Sequence, residues 1–262
     1  MSTIPRPLPS DLKVFRRFIR EYVDDHMLAT SQFGHKKMTF VPNGFCDELS
    51  RGYVVDHIFS IDGSIQNFST NTQQNLKQSI RNGCGKIFAI ALYSGVSMLT
   101  VNRIVSVDQK SDNLLPLNRD DCPRAAVSND FMSFVQHQHL FSAPFFRLDV
   151  FDHSLQSTVP IPIDFSEDKG RLGRGREGSI FSATIHSDQH SFDGFQGPFA
   201  LKRIKDGNSA IRELNTLSKL APTQHPHIAK ILAGFGYQND TYLIAELANE
   251  DLRTFMSQPG MR

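Results

Sequence analysis

Cysteine is scarce in this chain. Cys46, Cys84 and Cys122 are the only three in 262 residues, far apart and with no C-x-x-C pair. That pattern excludes a disulfide framework and a zinc site built on paired cysteines. An excess of charge of one sign is also missing. There are 28 lysines and arginines against 27 aspartates and glutamates, a formal net charge of +1, so no whole-molecule field draws nucleic acid or a membrane surface. Long apolar runs are absent too. The longest apolar stretch, Lys86 to Tyr93, is too short to span a bilayer and reads as buried core. Met1 to Pro9 is polar and proline-rich, without the apolar centre of a signal peptide. The expectation is an intracellular, cytoplasmic protein of one or two domains, with no nucleic-acid or membrane partner.

What is present divides near residue 160. Residues 1–160 show mainly helical periodicity. Ser10 is placed to cap a helix reaching about Leu28, with Val14, Phe15, Phe18, Ile19, Tyr22 and Val23 as its apolar stripe. Arg16, Arg17 and Arg20 fall largely opposite that stripe and read as a solvated face or a partner patch. Further helical stretches run over Asp47–Phe59, over Thr72–Tyr93 with a break at Gly83-Cys84-Gly85, over Ser97–Val107 and over Phe131–Phe141. Asp108–Arg124 reads as a loop. Phe145–Val150 and Thr158–Ile163 read as strands or extended linker. His137 and His139 face apart on a helix, and His225 and His227 flank Pro226 in a turn, so no metal site is expected.

Residues 161–262 switch to strand patterns around a glycine-rich run, Leu172-Gly173-Arg174-Gly175-Arg176-Glu177-Gly178-Ser179-Ile180. Phe199-Ala200-Leu201-Lys202 follows as an alternating strand. Ala210-Ile211-Arg212-Glu213 then opens a helix capped by Asn208 or Ser209, with Ile211, Leu214, Leu217 and Leu220 on one face. His225-Pro226-His227-Ile228 makes a turn. Thr241 to Ala248 is a last strand, and Asn249-Glu250-Asp251-Leu252 starts another helix. On these residues alone, two readings stand side by side. The glycines serve a tight hairpin or a phosphate site, and Lys202 and Glu213 form a surface ion pair or a functional one.

In this order, the motifs of residues 167–262 resemble the N-terminal lobe of a eukaryotic protein kinase. The resemblance implies an α+β fold, a mainly helical N-terminal region followed by a five-stranded antiparallel sheet with helix αC. It implies that ATP is the cofactor. Leu172, Ile180 and Ala200 would line the adenine, and Gly173, Gly175 and Gly178 would let backbone amides reach the phosphates. Lys202 would pair the α- and β-phosphates and Glu213 would orient it. The backbone of Glu246 and Ala248 would bond the adenine edge, with Ala245 as a small gatekeeper. Lys202 and Glu213 stand eleven residues apart, a short spacing for the family that implies a trimmed first helical turn. The region before the lobe, with Ala143-Pro144-Phe145-Phe146 and Phe151-Asp152-His153, resembles that preceding kinase-like domains of filamentous fungal proteins.

The family's other motifs are missing from these 262 residues. No H-R-D-x-x-x-x-N supplies a catalytic aspartate, and no D-F-G supplies a magnesium ligand. Asp130-Phe131-Met132 and Asp164-Phe165-Ser166 precede the glycine run and cannot take the metal-binding role. The family chemistry is transfer of the ATP γ-phosphate to protein serine or threonine. This chain is expected to be inactive alone, or to be a non-catalytic interaction module whose apolar lobe base, around Leu217, Leu247 and Leu252, is covered by a protein partner.

Overall fold

The computed structural model describes residues 4–30, 38–166, 169–175, 178–192, 194–195, 197–205, 207–220 and 230–248, leaving aside the side chains at positions 152, 153, 217, 218 and 220. The fold is α+β, with helices and a mixed multi-stranded sheet. Two compact units form, Met1–Ala29 with Thr39–Ala143, and Thr30–Met38 with Pro144–Arg262. The division falls between Ala143 and Pro144 rather than at residue 160, because the segment after Pro144 already pairs with the second unit's sheet.

In the first unit, α1 (Leu12–Asp24) is capped by Asp11, whose carboxylate accepts the Val14 N–H at 2.9 Å. Ser10 is not the cap. The helix buries Phe15, Ile19, Tyr22 and Val23. Two of its arginines are not a solvated face. Arg16 donates to Asp62 Oδ2 and the Val96 carbonyl, and Arg20 donates to the Tyr93 carbonyl. A short antiparallel pair, β1 (Leu28–Ala29) and β2 (Thr39–Phe40), follows. The helix expected over 47–59 is two, α2 (Asn43–Leu49) and α3 (Gly52–Ile61). α4 (Thr70–Arg81) and α5 (Gly85–Ser94) part at Gly83, whose φ of 132° suits glycine. Every residue of α5 from Ile87 to Ser94 is buried, so the most apolar stretch of the sequence is the centre of this core. α6 (Met98–Asn102) runs into a π-turn, and α7 (Phe131–His137) into a 3₁₀ turn ending at Phe141.

Buried Asp62 and Gln138 and half-buried Asp130 fix the loops between these helices. Asp62 accepts from Ser64 N at 2.9 Å, Met98 N at 3.1 Å and Arg16 at 3.3 Å. Gln138 imitates a backbone partner, accepting from Leu117 N and donating to Leu117 O. Asp130 accepts from Ser97 N and the Thr100 hydroxyl. Burial pushes its carboxyl up, but those bonds outweigh it and hold the group below its ordinary range. Removing Asp62 strands three donors at once. Asp62→Ala is expected to cost this unit about 2–4 kcal/mol, measured by urea denaturation; a loss below about 0.5 kcal/mol would show that water replaces the carboxylate.

The second unit holds β3 (Val150–Leu155), β4 (Ile163–Phe165), β5 (Arg171–Arg174), β6 (Gly178–Ile185), β7 (Phe199–Ile204), α8 (Gly207–Leu220), β8 (Ile231–Tyr237) and β9 (Asp240–Glu246). Among the described residues the sheet has seven strands, in the order β3-β8-β9-β7-β6-β4, with β5 also on β6. This corrects the five-stranded antiparallel expectation. β4 and β5 share one edge of β6, joined where Ser182 N donates to Gly170 O. β3 runs parallel to β8 and covers what would be an open edge. β8 and β9 are joined by Gln238-Asn239, both at positive φ (50° and 71°), as a tight two-residue hairpin requires.

One face of the sheet is the core. Phe181, Phe199, Leu201, Phe235 and Ile244 pack there with Phe146, Ile161, Ile163 and Phe192. The other face receives α8 through Ala210, with Leu214 packed beside Ile204 and Leu243. Ile211 is 59% exposed and so lies off the expected stripe; the side chains of Leu217 and Leu220 lie outside the described residues. Asn208 and Ser209 both sit inside α8, which begins at Gly207, so neither is the cap.

Candidate functional site

The strand register sets which side chains share a face. Cross-strand partners point the same way, so Ile180 opposite Lys202, Ser182 opposite Ala200, Lys202 opposite Leu243 and Ala200 opposite Ala245 all lie on the α8 side of the sheet. Gly173 is opposite Ile180 and joins them. α8 covers the part of this face around Ile204 and Leu243. The remainder carries an apolar side chain left in the open, Ile180 at 38% exposure, and the neighbouring hairpin carries Leu172, at 54%, where the register shifts between Arg171 and Gly173.

Lys202 and Glu213 meet at the border between the two parts. The Lys202 ammonium donates to both oxygens of Glu213, at 2.6 and 2.7 Å. The side chains are 33% and 23% exposed. A partly exposed pair of this kind contributes about 0–1 kcal/mol to stability. An ammonium has three donors; among the described residues two are used, both by Glu213. β7 reaches α8 in so few residues that Glu213, in the second helical turn, comes back over Lys202.

The three glycines have different causes. A Cβ on Gly178 would overlap the carbonyl oxygen of Arg203 on the paired strand. Close backbone approach therefore explains that glycine with no ligand. Gly173 meets nothing within 4 Å among the described residues, and Gly175 only the Gly178 carbonyl at 3.9 Å. Neither sits at positive φ. Among the described residues, neither crowding nor backbone conformation calls for glycine at 173 and 175, and nothing fills the space above them.

Leu172, Gly173, Gly175, Ile180, Ala200 and Lys202 therefore belong to one hairpin and its neighbouring strand. Glu246 ends β9 opposite Phe199, and Ala248 lies just beyond it; both are exposed. Arg176, Glu177, the turn at 225–228 and the residues from Asn249 onward lie outside the described residues. The other Asp-Phe pairs have separate places, Asp164 in β4 and Asp130 at the start of α7. The three cysteines are free and buried, and burial pushes the Cys46 thiol up to about 12 and those of Cys84 and Cys122 up to about 11. Among the described residues no helix is long and apolar enough to cross a membrane, and no group of three or more metal-ligating side chains gathers.

Sequence reasoning left Phe145–Val150 and Thr158–Ile163 open between strands and extended linker; it missed that Val150–Leu155 forms β3 on the sheet's edge and that Phe146, Val159, Ile161 and Ile163 join its buried face. No protein-family model matches the chain, and no curated protein matches it.

Proposed function

We propose that residues 161–262 form a protein-kinase-like lobe that binds ATP. The observation that carries this reading is the two-pronged contact of Lys202 with Glu213 beside a glycine hairpin whose Gly173 and Gly175 have, among the described residues, no steric reason to be glycine. The residues present fit a nucleotide. The open face and the neighbouring hairpin offer apolar Leu172, Ile180 and Ala200 for a base. The hairpin offers backbone that phosphates can approach closely. Lys202 offers its ammonium to an anion while Glu213 fixes its direction. Glu246 and Ala248 stand at the strand end where a base edge would be read.

ATP when bound would supply a transferable γ-phosphate, and the family chemistry is its transfer to protein serine or threonine. Within these 262 residues no H-R-D-x-x-x-x-N or D-F-G is present, so no residue here is assigned to magnesium or to the acceptor hydroxyl. The 262-residue chain, incubated with labelled ATP, magnesium and generic protein substrates, is expected to transfer no phosphate above blank. Transfer that disappears in a Lys202→Ala variant would contradict this.

A second reading, a non-catalytic interaction module, is favoured by exposed Leu172 and Ile180. A protein partner on that face would compete with nucleotide. A chain that shows no ATP binding by calorimetry at millimolar ligand would leave this second reading standing.

A further inference from the structure

We infer that the loop from His186 to Phe192 is an acid-sensitive clasp, which holds Phe146 on the sheet only while His186 and His190 are neutral. Each imidazole accepts a backbone N–H two residues ahead. Asp188 N donates to His186 Nδ1 and Phe192 N donates to His190 Nδ1, both at 3.2 Å. Accepting at Nδ1 requires a bare ring nitrogen, so each ring carries its single proton on Nε2. A second proton lands on Nδ1 and turns the acceptor into a donor facing another donor.

The turn so formed carries the clasp. Phe146 N donates to Gln189 O at 2.8 Å, and Ser191 N donates to Phe146 O at 3.0 Å. His190 lies between those two positions and bridges to Phe146 itself. Phe146 is fully buried, 5.2 Å from the Phe235 ring. Opening the turn therefore releases a core residue and the chain leading into β3.

The surroundings of His190 favour the neutral ring. It stacks on Phe192 at 4.8 Å and meets Phe199 of β7 edge-on at 5.5 Å. On its own loop the titratable groups are His186 and Asp188. From β9, exposed Glu246 lies opposite Phe199; from β4, exposed Asp164 lies opposite Thr184. Position 193 lies outside the described residues. Burial first, and His186 second, hold the His190 pKa below its ordinary value. With the folded value depressed, this contribution to stability is present above the unfolded value of about 6.5 and is lost as pH falls through the folded one.

Amide hydrogen exchange on the full chain at pH 7.5 and 5.0, corrected for intrinsic rates, tests the clasp. Protection of Phe146 and Ser191 is expected to fall about tenfold at the lower pH, while Leu201 and Ile244 in the central strands hold. In a His186→Asn/His190→Asn variant the side-chain amide oxygen accepts the same N–H at either pH, and the fall should vanish. Unchanged protection in the wild type, an equal fall at Leu201 and Ile244, or an equal fall in the double variant would each overturn the inference. If the variant does not fold, nitrogen chemical shifts of wild-type His190 decide: a proton on Nδ1 at pH 7.5, or a pKa at or above 6.5, overturns it.

Discussion

Lys202→Ala is expected to weaken ATP binding by about 10- to 100-fold while leaving the fold in place. The wild-type chain should bind no tighter than about 0.1 mM. On the open face, both oxygens of Glu213 hold the Lys202 ammonium. A hydrogen bond from a charged donor to a phosphate contributes about 1.5–3 kcal/mol, which converts to that fold-change. The pair's own contribution to stability is small because both side chains are partly exposed, so thermal unfolding should shift by no more than about 1 kcal/mol. Calorimetric titration and differential scanning on the two proteins separate the outcomes. Equal affinity would mean that Lys202 and Glu213 are a surface ion pair. A collapse of stability would mean the pair is structural after all.

Glycine substitutions should split the hairpin into two classes. Gly178→Ala places a methyl group into the Arg203 carbonyl of the adjacent strand. The clash is with a backbone atom of the paired strand, so no side chain can swing aside, and the expected loss is about 3 kcal/mol or more. Gly173→Ala meets open space at ordinary φ. It should be neutral or stabilise by about 0.4–1 kcal/mol through the unfolded chain, and still weaken nucleotide binding. Denaturant midpoints of the two variants test this. Equal destabilisation would show that Gly173 serves the hairpin alone, which is the ligand-free explanation of the glycine run.

The helices and the lysine strand were legible in the sequence because their causes are local. The apolar spacing of Phe15, Ile19, Tyr22 and Val23 and the glycine at 83 act within a few residues of themselves. Phe199 to Lys202 alternates as a half-buried strand should, and it forms β7. The misses have distant causes. Arg16 and Arg20 look solvated until α3 and α5 bring Asp62 and the Val96 and Tyr93 carbonyls to them. Ile211 keeps the helical spacing of a core residue, but α8 meets the sheet through Ala210 and Leu214 instead. β3 pairs in parallel with a strand some eighty residues later, and no short-range pattern announces such a partner. The Gln238-Asn239 turn lacks the glycine that usually marks a hairpin of this kind. At the candidate site, the identities of Lys202 and Glu213 were readable, whereas their meeting depended on how tightly β7 turns into α8.

The central claim is that the open face beside the glycine hairpin takes a nucleotide. Chemical-shift mapping of the labelled chain with a non-hydrolysable ATP analogue tests it most directly. The account predicts shifts confined to Gly173, Gly175, Ile180, Ala200, Lys202 and the strand end from Ala245 to Ala248. Saturating analogue that leaves those amides unmoved, or moves only residues of α1 to α7, would contradict it.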